Sequence, residues 1–197
     1  ALGELAEPRP GLRVPGSMDG FETAVRAIIG QQVTVKAATR ISARFARAFG
    51  EAIETPLPAL TIVFPSARAI AALEPAQVAA QGIVMARARA ICALAREVAS
   101  GRLRLDPSAD IDRTLEQLQA LPGVGPWTAH YVAMRALAWP DAFPHPDIGV
   151  LNALERTPDY GSRGRATPKN ALAAAERWRP WRAYAVMHLW KSLERPT

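Results

Sequence analysis

The sequence predicts an all-α protein. Apolar residues recur at spacings of three and four in successive stretches, glycines and prolines punctuate those stretches, and strand-like alternation is nearly absent. The chain has 197 residues, of which 49% are hydrophobic, so it can bury a sizeable core. From the number of periodic stretches we expect about eight or nine helices.

Two helices are identified by the glycines that follow them. Apolar periodicity runs up to Gly50 and again up to Gly101, and glycine commonly follows the last turn of a helix. The apolar positions are Ala38, Ile41, Phe45 and Phe49 in the first helix and Ile91, Leu94 and Val98 in the second.

Other helices are identified by their first residues. Asp110 precedes an apolar helical pattern and is a good N-cap, and Thr167 followed by Pro168 combines a capping hydroxyl with a proline suited to the first turn. We expect Pro180 to open the last helix in the same way. The only extended candidate, residues 60–64, is too short and isolated to build a sheet. Residues 1–20 are rich in proline and glycine and read as a lead-in, which leaves 21–194 as the helical domain.

Charge and cysteine content exclude several classes of protein. Lys and Arg number 24 against 18 Asp and Glu, a net charge of +6, but the arginines are spread along the chain, so charge alone is weak evidence for nucleic-acid binding. The single cysteine, Cys92, rules out an intramolecular disulfide, a Cys-based zinc site and a four-cysteine iron–sulfur cluster. Since no apolar run approaches the roughly 18 residues of a membrane span, we expect a soluble, cytosolic protein.

The segment LPGVGPWTA, from Leu121 to Ala129, predicts a tight hairpin between two helices. Pro122 ends the first helix, and Gly123 and Gly125 permit a reversal that a Cβ would obstruct. Such a turn can point backbone N–H groups outward, where they bind a phosphate without reading base sequence. The alternative is a plain turn between helices.

Asp147 precedes an apolar stripe at helical spacing, formed by Ile148, Leu151 and Leu154. Taken alone, this position predicts an N-cap or the residue next to one. His145 and Asp141 are the other polar candidates in the same loop.

Aromatic residues are concentrated near these two motifs. Trp127 and Tyr131 are four residues apart, on one face of the helix that leaves the hairpin, and Trp190 lies in the last helix. For Trp178 and Trp181 we favour a place in the core.

Together these motifs resemble the helix-hairpin-helix (HhH-GPD) DNA glycosylase superfamily, most closely its bacterial 3-methyladenine DNA glycosylase II (AlkA-like) branch. The resemblance covers residues 12–194 and rests on motifs that occur in the family's order. They are residues 19–22 with 28–33, the hairpin with the downstream Asp147, and residues 178–190.

The resemblance implies a two-lobed helical fold and a catalytic role for Asp147. An ionised carboxylate beside the sugar stabilises the oxocarbenium character that develops when an N-glycosidic bond breaks. It also implies that Trp127, Tyr131 and Trp190 surround a flipped base, where electron-rich rings suit a purine made cationic by alkylation.

For DNA, the resemblance implies backbone contacts by Gly123, Val124, Gly125 and Thr128 and a wedge into the duplex from Gln31 or Gln32. A monovalent cation, Na⁺ or K⁺, is implied at the carbonyls of Leu121 and Val124, with no organic cofactor. Trp127 stands where strand-cutting branches carry a Schiff-base lysine, so the family comparison implies a monofunctional enzyme that leaves an abasic site.

Full-length members of this branch commonly carry an additional N-terminal α/β domain, and we expect this sequence to lack it. The expected partner is double-stranded DNA with damaged bases, bound by a monomer. Two other hypotheses remain open at this point: a non-catalytic helix-hairpin-helix DNA-binding module, and a helical protein-interaction domain.

Overall fold

The fold was analysed in a computed structural model that describes residues 2–157 and 165–194. This part of the chain contains ten α-helices, which confirms the all-α prediction, and within it no helix has the length and apolarity to cross a membrane. The helices are α1 (Gly20–Gly30), α2 (Val35–Phe49), α3 (Ala67–Ala71), α4 (Pro75–Ala79), α5 (Met85–Ala99), α6 (Ile111–Ala120), α7 (Pro126–Arg135), α8 (Ile148–Glu155), α9 (Pro168–Ala175) and α10 (Arg182–Ser192). Two 3₁₀ turns are present at Gly3–Leu5 and Glu176–Trp178.

Most of the predicted helix boundaries are confirmed by their caps. The Asp110 carboxylate accepts a hydrogen bond from the N–H of Arg113, and the Thr167 hydroxyl accepts one from Asn170, as N-caps do. The helix predicted to end at Gly50 does so. The prediction that Pro180 opens the last helix was wrong. Helix α10 begins at Arg182, because Trp181 has the N-cap position and Pro180 lies in the preceding turn.

The expectation that residues 60–64 build no sheet was also wrong. Strand β2 (Ile62–Val63) pairs antiparallel with β1 (Glu51–Ala52), which directly follows α2. The Thr55 hydroxyl lies 2.9 Å from the carbonyl oxygens of Leu57 and Leu60 and closes the loop between the strands. This side-chain closure supports a two-residue pairing that strand propensity alone would not predict.

The helices form two packed groups. In the first, α1 packs against α2, α5 and α7, while α3 and α4 pack on α5 and α6 packs on α7. In the second, α8 packs against α9 and α10, and the 3₁₀ turn at Gly3–Leu5 lies on α10. A continuous apolar core runs through both groups, and Leu2, Leu5 and Val14 of the lead-in segment pack against it.

An ion pair fixes the loop that leads to Asp147. Asp141 and Arg182 have side chains only 10% and 6% exposed, and the Arg182 Nε and Nη2 atoms each donate to the Asp141 carboxylate at 2.8 Å. Arg179 donates to the same carboxylate, and the N–H of Ala183 donates to the carbonyl of Pro140 at 2.9 Å. The loop is thereby attached to the start of α10.

A half-buried histidine, His130, supports the same loop from α7. Nδ1 of His130 accepts a hydrogen bond from the N–H of Phe143 at 3.3 Å, and its ring stacks on Trp139. Burial lowers the pKa of His130 to about 4, so the ring is neutral at pH 7 and can act as this acceptor.

Replacing Asp141 with Asn should destabilise the fold by about 3 kcal/mol, because the substitution leaves the buried Arg182 guanidinium with only the exposed Glu176 carboxylate, 3.5 Å away, as a counter-charge. Urea unfolding would measure the loss. Glu97→Gln is the matched control, since Glu97 also takes two hydrogen bonds from one arginine, but that partner, Arg102, is 62% exposed. The control should change stability very little. Equal effects of the two substitutions would show that the Asp141 pair does not hold the loop.

Candidate active site

Asp147 caps the N-terminus of α8, as predicted. Its Oδ1 accepts a hydrogen bond from the N–H of Val150 at 2.8 Å, and its own N–H donates to the carbonyl of Pro144 at 2.9 Å. The positive end of the helix dipole lies next to the carboxylate. Both the backbone and the side chain of Asp147 are therefore held in place.

Two tryptophan side chains bind the same carboxylate. The indole Nε1 of Trp127, on α7, donates to Oδ2 at 2.7 Å, and that of Trp190, on α10, donates to Oδ1 at 2.9 Å. These lengths are typical of hydrogen bonds to a charged acceptor. Sequence reasoning placed both tryptophans near the site but assigned them only to the base, so these bonds are new.

The three donors determine which part of the carboxylate can still react. A carboxylate offers about four lone-pair positions, two on each oxygen. Oδ1 accepts from Val150 and Trp190, while Oδ2 accepts from Trp127. Within the described part of the chain, one position on Oδ2 therefore stays open for a water molecule or a developing cation.

The three aromatic residues predicted around the base lie together. Trp127 stacks on Tyr131 with ring centroids 5.3 Å apart and planes 16° from parallel, and Tyr131 lies 6.4 Å from Trp190. We call these three residues the aromatic wall. All are half-buried, and the Arg135 guanidinium lies 5.7 Å from the Tyr131 ring. Stacking and cation attraction are available next to the carboxylate.

The other two tryptophans divide between core and surface. Trp178 is 3% exposed, as a core residue should be. The core placement of Trp181 was wrong, since it is 46% exposed. It has the N-cap position of α10, at a turn, where its ring and the Tyr184 ring pack edge to face with centroids 5.7 Å apart.

The hairpin between α6 and α7 has the tight turn that its glycines predict. Gly123 has φ +77°, a left-handed conformation that disfavours other residues, and both Gly123 and Gly125 are exposed. The N–H of Val124 donates to the carbonyl of Leu121 at 3.2 Å, inside the turn. Thr128 is 2% exposed. Of the four predicted backbone contacts, Gly123 and Gly125 are those on the surface.

The two glutamines of the α1–α2 turn have different environments. Nε2 of Gln31 donates to the Gly123 carbonyl at 3.0 Å and lies 2.9 Å from the Thr128 hydroxyl, so this side chain braces the hairpin. Gln32 is exposed, with φ +53°. No spacing rule could have distinguished them, because the bracing bond joins residues 92 apart in sequence.

The alternative polar residues of the Asp147 loop do not share this site. Asp141 is bound to Arg182 and Arg179. His145 lies edge-on to His130 with ring centroids 6.2 Å apart, and burial lowers the pKa of His145. The carboxylate that meets the aromatic wall is Asp147.

Curated relatives resemble the chain over nearly all of its length. It is 43% identical over 188 residues to a Mycobacterium tuberculosis protein named "Probable bifunctional transcriptional activator/DNA repair enzyme AlkA", with 95% of this chain and 36% of the relative covered. It is 40% identical over 190 residues to the Escherichia coli "DNA-3-methyladenine glycosylase 2", with 96% of this chain and 64% of the relative covered. The chain thus spans only part of each of these relatives.

Solved structures and a family model agree with this result. A 3-methyladenine DNA-glycosylase from Archaeoglobus fulgidus matches with a TM-score of 0.79 at 26% identity, covering 95% of this chain and 63% of that one. The family model for HhH-GPD superfamily base excision DNA repair proteins matches residues 25–180, which include the hairpin, Trp127 and Asp147. The chain therefore belongs to the HhH-GPD superfamily of base excision DNA repair proteins.

Proposed function

We propose that this chain is a DNA glycosylase that hydrolyses the N-glycosidic bond of alkylated purines, such as 3-methyladenine, and leaves an abasic site. The observation that carries the proposal is the Asp147 carboxylate, held by Trp127 and Trp190 with one position open on Oδ2. The names of the E. coli and A. fulgidus relatives support this substrate class.

The carboxylate acts on charge that appears only in the transition state. As the bond between sugar and base breaks, positive charge develops on the sugar, and a fixed carboxylate nearby stabilises it without having to reorganise. The open position on Oδ2 can accept a hydrogen bond from the attacking water and orient it. The three donors fix the direction of this position, so its alignment requires no further ordering during the reaction.

The aromatic wall suits a flipped, positively charged base. Alkylation of a purine ring nitrogen makes the base cationic, which strengthens its attraction to aromatic faces and makes it a good leaving group. The Tyr131 ring already has two neighbours, because Trp127 stacks on it and Arg135 lies beside it. The surfaces that remain for the base are those of Trp127 and Trp190.

Duplex DNA is held by its backbone at the hairpin. The exposed N–H groups of Gly123 and Gly125 lie at the N-terminus of α7, where a phosphate is favoured by unpaired donors and by the helix dipole. Gln32 is the wedge that fills the gap left by the extruded base, since Gln31 is bound to the hairpin. A monomer is sufficient for these contacts.

A monovalent cation at the hairpin remains part of the proposal. The Leu121 carbonyl accepts one hydrogen bond, from Val124, and keeps a second lone pair, while the Val124 carbonyl is the other implied ligand. Carbonyl oxygens suit Na⁺ or K⁺. Such an ion would stiffen the turn and offset phosphate charge.

Trp127 determines the expected reaction outcome. It stands where strand-cutting relatives carry a lysine, and an indole cannot form a Schiff base with the sugar. We therefore propose a monofunctional enzyme that uses water as the nucleophile.

Asp147→Asn should lower base release by about 100-fold, because the amide carries no charge and its NH₂ group would place a second donor against an indole N–H. The measurement is single-turnover release of free base from a duplex containing methylated purines. Asp110→Asn is the matched control, since Asp110 caps α6 through the same type of bond at 2.8 Å, and asparagine caps as well as aspartate.

The same assay distinguishes the competing functions. Equal release by wild type and Asp147→Asn would refute the catalytic assignment, and duplex binding without any release would favour the non-catalytic DNA-binding module. Strand cleavage before alkali treatment, or a borohydride-trapped adduct, would contradict the monofunctional assignment.

Gly123→Ala should weaken binding to undamaged duplex about 10-fold for every sequence tested, with a smaller salt dependence, because the strained turn misdirects the N–H groups that meet phosphate. Fluorescence anisotropy at several salt concentrations would measure this. Gly101→Ala is the control. Gly101 also has a left-handed φ, +74° compared with +77° at Gly123, and it lies just after the C-terminal end of α5. A binding loss shared by both variants would mean that strain alone, and not the hairpin contact, is responsible.

A further inference from the structure

Gly149 is the second residue of α8 and stands next to the site. Its backbone is not left-handed: positive φ values among the described glycines occur at Gly3, Gly82, Gly101 and Gly123. By helix propensity alone, alanine is favoured over glycine at a helical position. Backbone conformation therefore gives no reason for a glycine here.

The surroundings of its Cα do give a reason. A Cβ built on Gly149 would lie 2.9 Å from Oδ1 of Asp147, 3.2 Å from Cδ1 of Trp190 and 3.3 Å from its Nε1. These are the two partners of one hydrogen bond, and all three distances are shorter than normal van der Waals contact. A methyl group at this point would press against both ends of the bond.

Neither partner can move aside without cost to the site. Oδ1 is held by the N–H of Val150, so a displaced carboxylate would lose its cap or change its direction. A displaced indole would lose its bond to Oδ1 and shift relative to Tyr131, whose ring lies 6.4 Å away. Either movement changes the alignment of the open position on Oδ2.

We propose that Gly149 is a positioning residue, whose missing side chain leaves the space in which Trp190 and Asp147 form their hydrogen bond. Its effect on base release rests on the proposed function, whereas its effect on the indole does not. The helix accepts a residue of lower propensity so that the indole and the carboxylate can approach each other.

The test is Gly149→Ala, with Asn152→Ala as the control on the exposed face of the same helix. We expect Gly149→Ala to lower the single-turnover rate of base release about 10-fold, since small misplacements of reacting groups have effects of this size. DNA affinity should stay unchanged, and any loss of thermal stability should be small, because the helical preference for alanine offsets part of the cost of the displaced contact. The control should leave both rate and affinity unchanged.

A double-mutant cycle separates positioning from general disturbance. In a Trp190→Phe background the indole N–H is already absent, so adding Gly149→Ala should cost only about 2-fold. An equal cost in both backgrounds would overturn the proposal, because the two residues would then act independently.

A spectroscopic measurement does not depend on activity. The indole N–H resonance of Trp190, assigned by its loss in Trp190→Phe, should shift in ¹⁵N-labelled Gly149→Ala and stay in place in Asn152→Ala. An unmoved resonance together with a wild-type rate would overturn the role of Gly149. A wild-type protein that releases no base would refute the proposed function alone, since the resonance still reports the packing at Gly149.

Discussion

The carboxylate of Asp147 joins parts of the chain that are distant in sequence. One donor comes from the backbone of α8, one from Trp127 on α7 and one from Trp190 on α10. Helix α7 belongs to the first group of helices and α8 and α10 to the second, so the site exists only when the two groups are packed together. Changes that move one group relative to the other therefore act on the carboxylate.

Several features of the fold serve this one geometry. The Asp141–Arg182 pair attaches the loop before Asp147 to the start of α10, which carries Trp190, and neutral His130 holds Phe143 of the same loop to α7. The hairpin that precedes Trp127 is braced by Gln31 from α1. Each contact fixes a backbone segment that leads to a residue of the site, which is Asp147, Trp127 or Trp190. The site is thus preorganised by its supporting residues as well as by the three direct donors.

Local signals in the sequence predicted the parts of this arrangement but not the contacts between them. Caps such as Asp110 and Thr167, the turn at Gly123 and the N-cap at Asp147 depend on neighbouring residues, so composition and spacing are enough to find them. The indole–carboxylate bonds, the brace by Gln31 and the close approach at Gly149 join residues from different helices and could not be read from periodicity. The errors have the same origin: the β1–β2 pair and the exposed Trp181 are set by tertiary surroundings. The family resemblance supplied the roles of the site residues, and the structure supplied the bonds through which they could act.

We propose that indole N–H groups align the carboxylate that acts on the sugar. The substitution Trp127→Phe probes this alignment, because phenylalanine keeps an aromatic face for stacking, although a smaller one, and removes the donor to Oδ2. The measurement is the single-turnover rate of base release at saturating enzyme, with DNA affinity determined alongside. We expect a rate about 10-fold lower at unchanged affinity, because an aligning hydrogen bond is lost. A wild-type rate for Trp127→Phe would contradict this proposal.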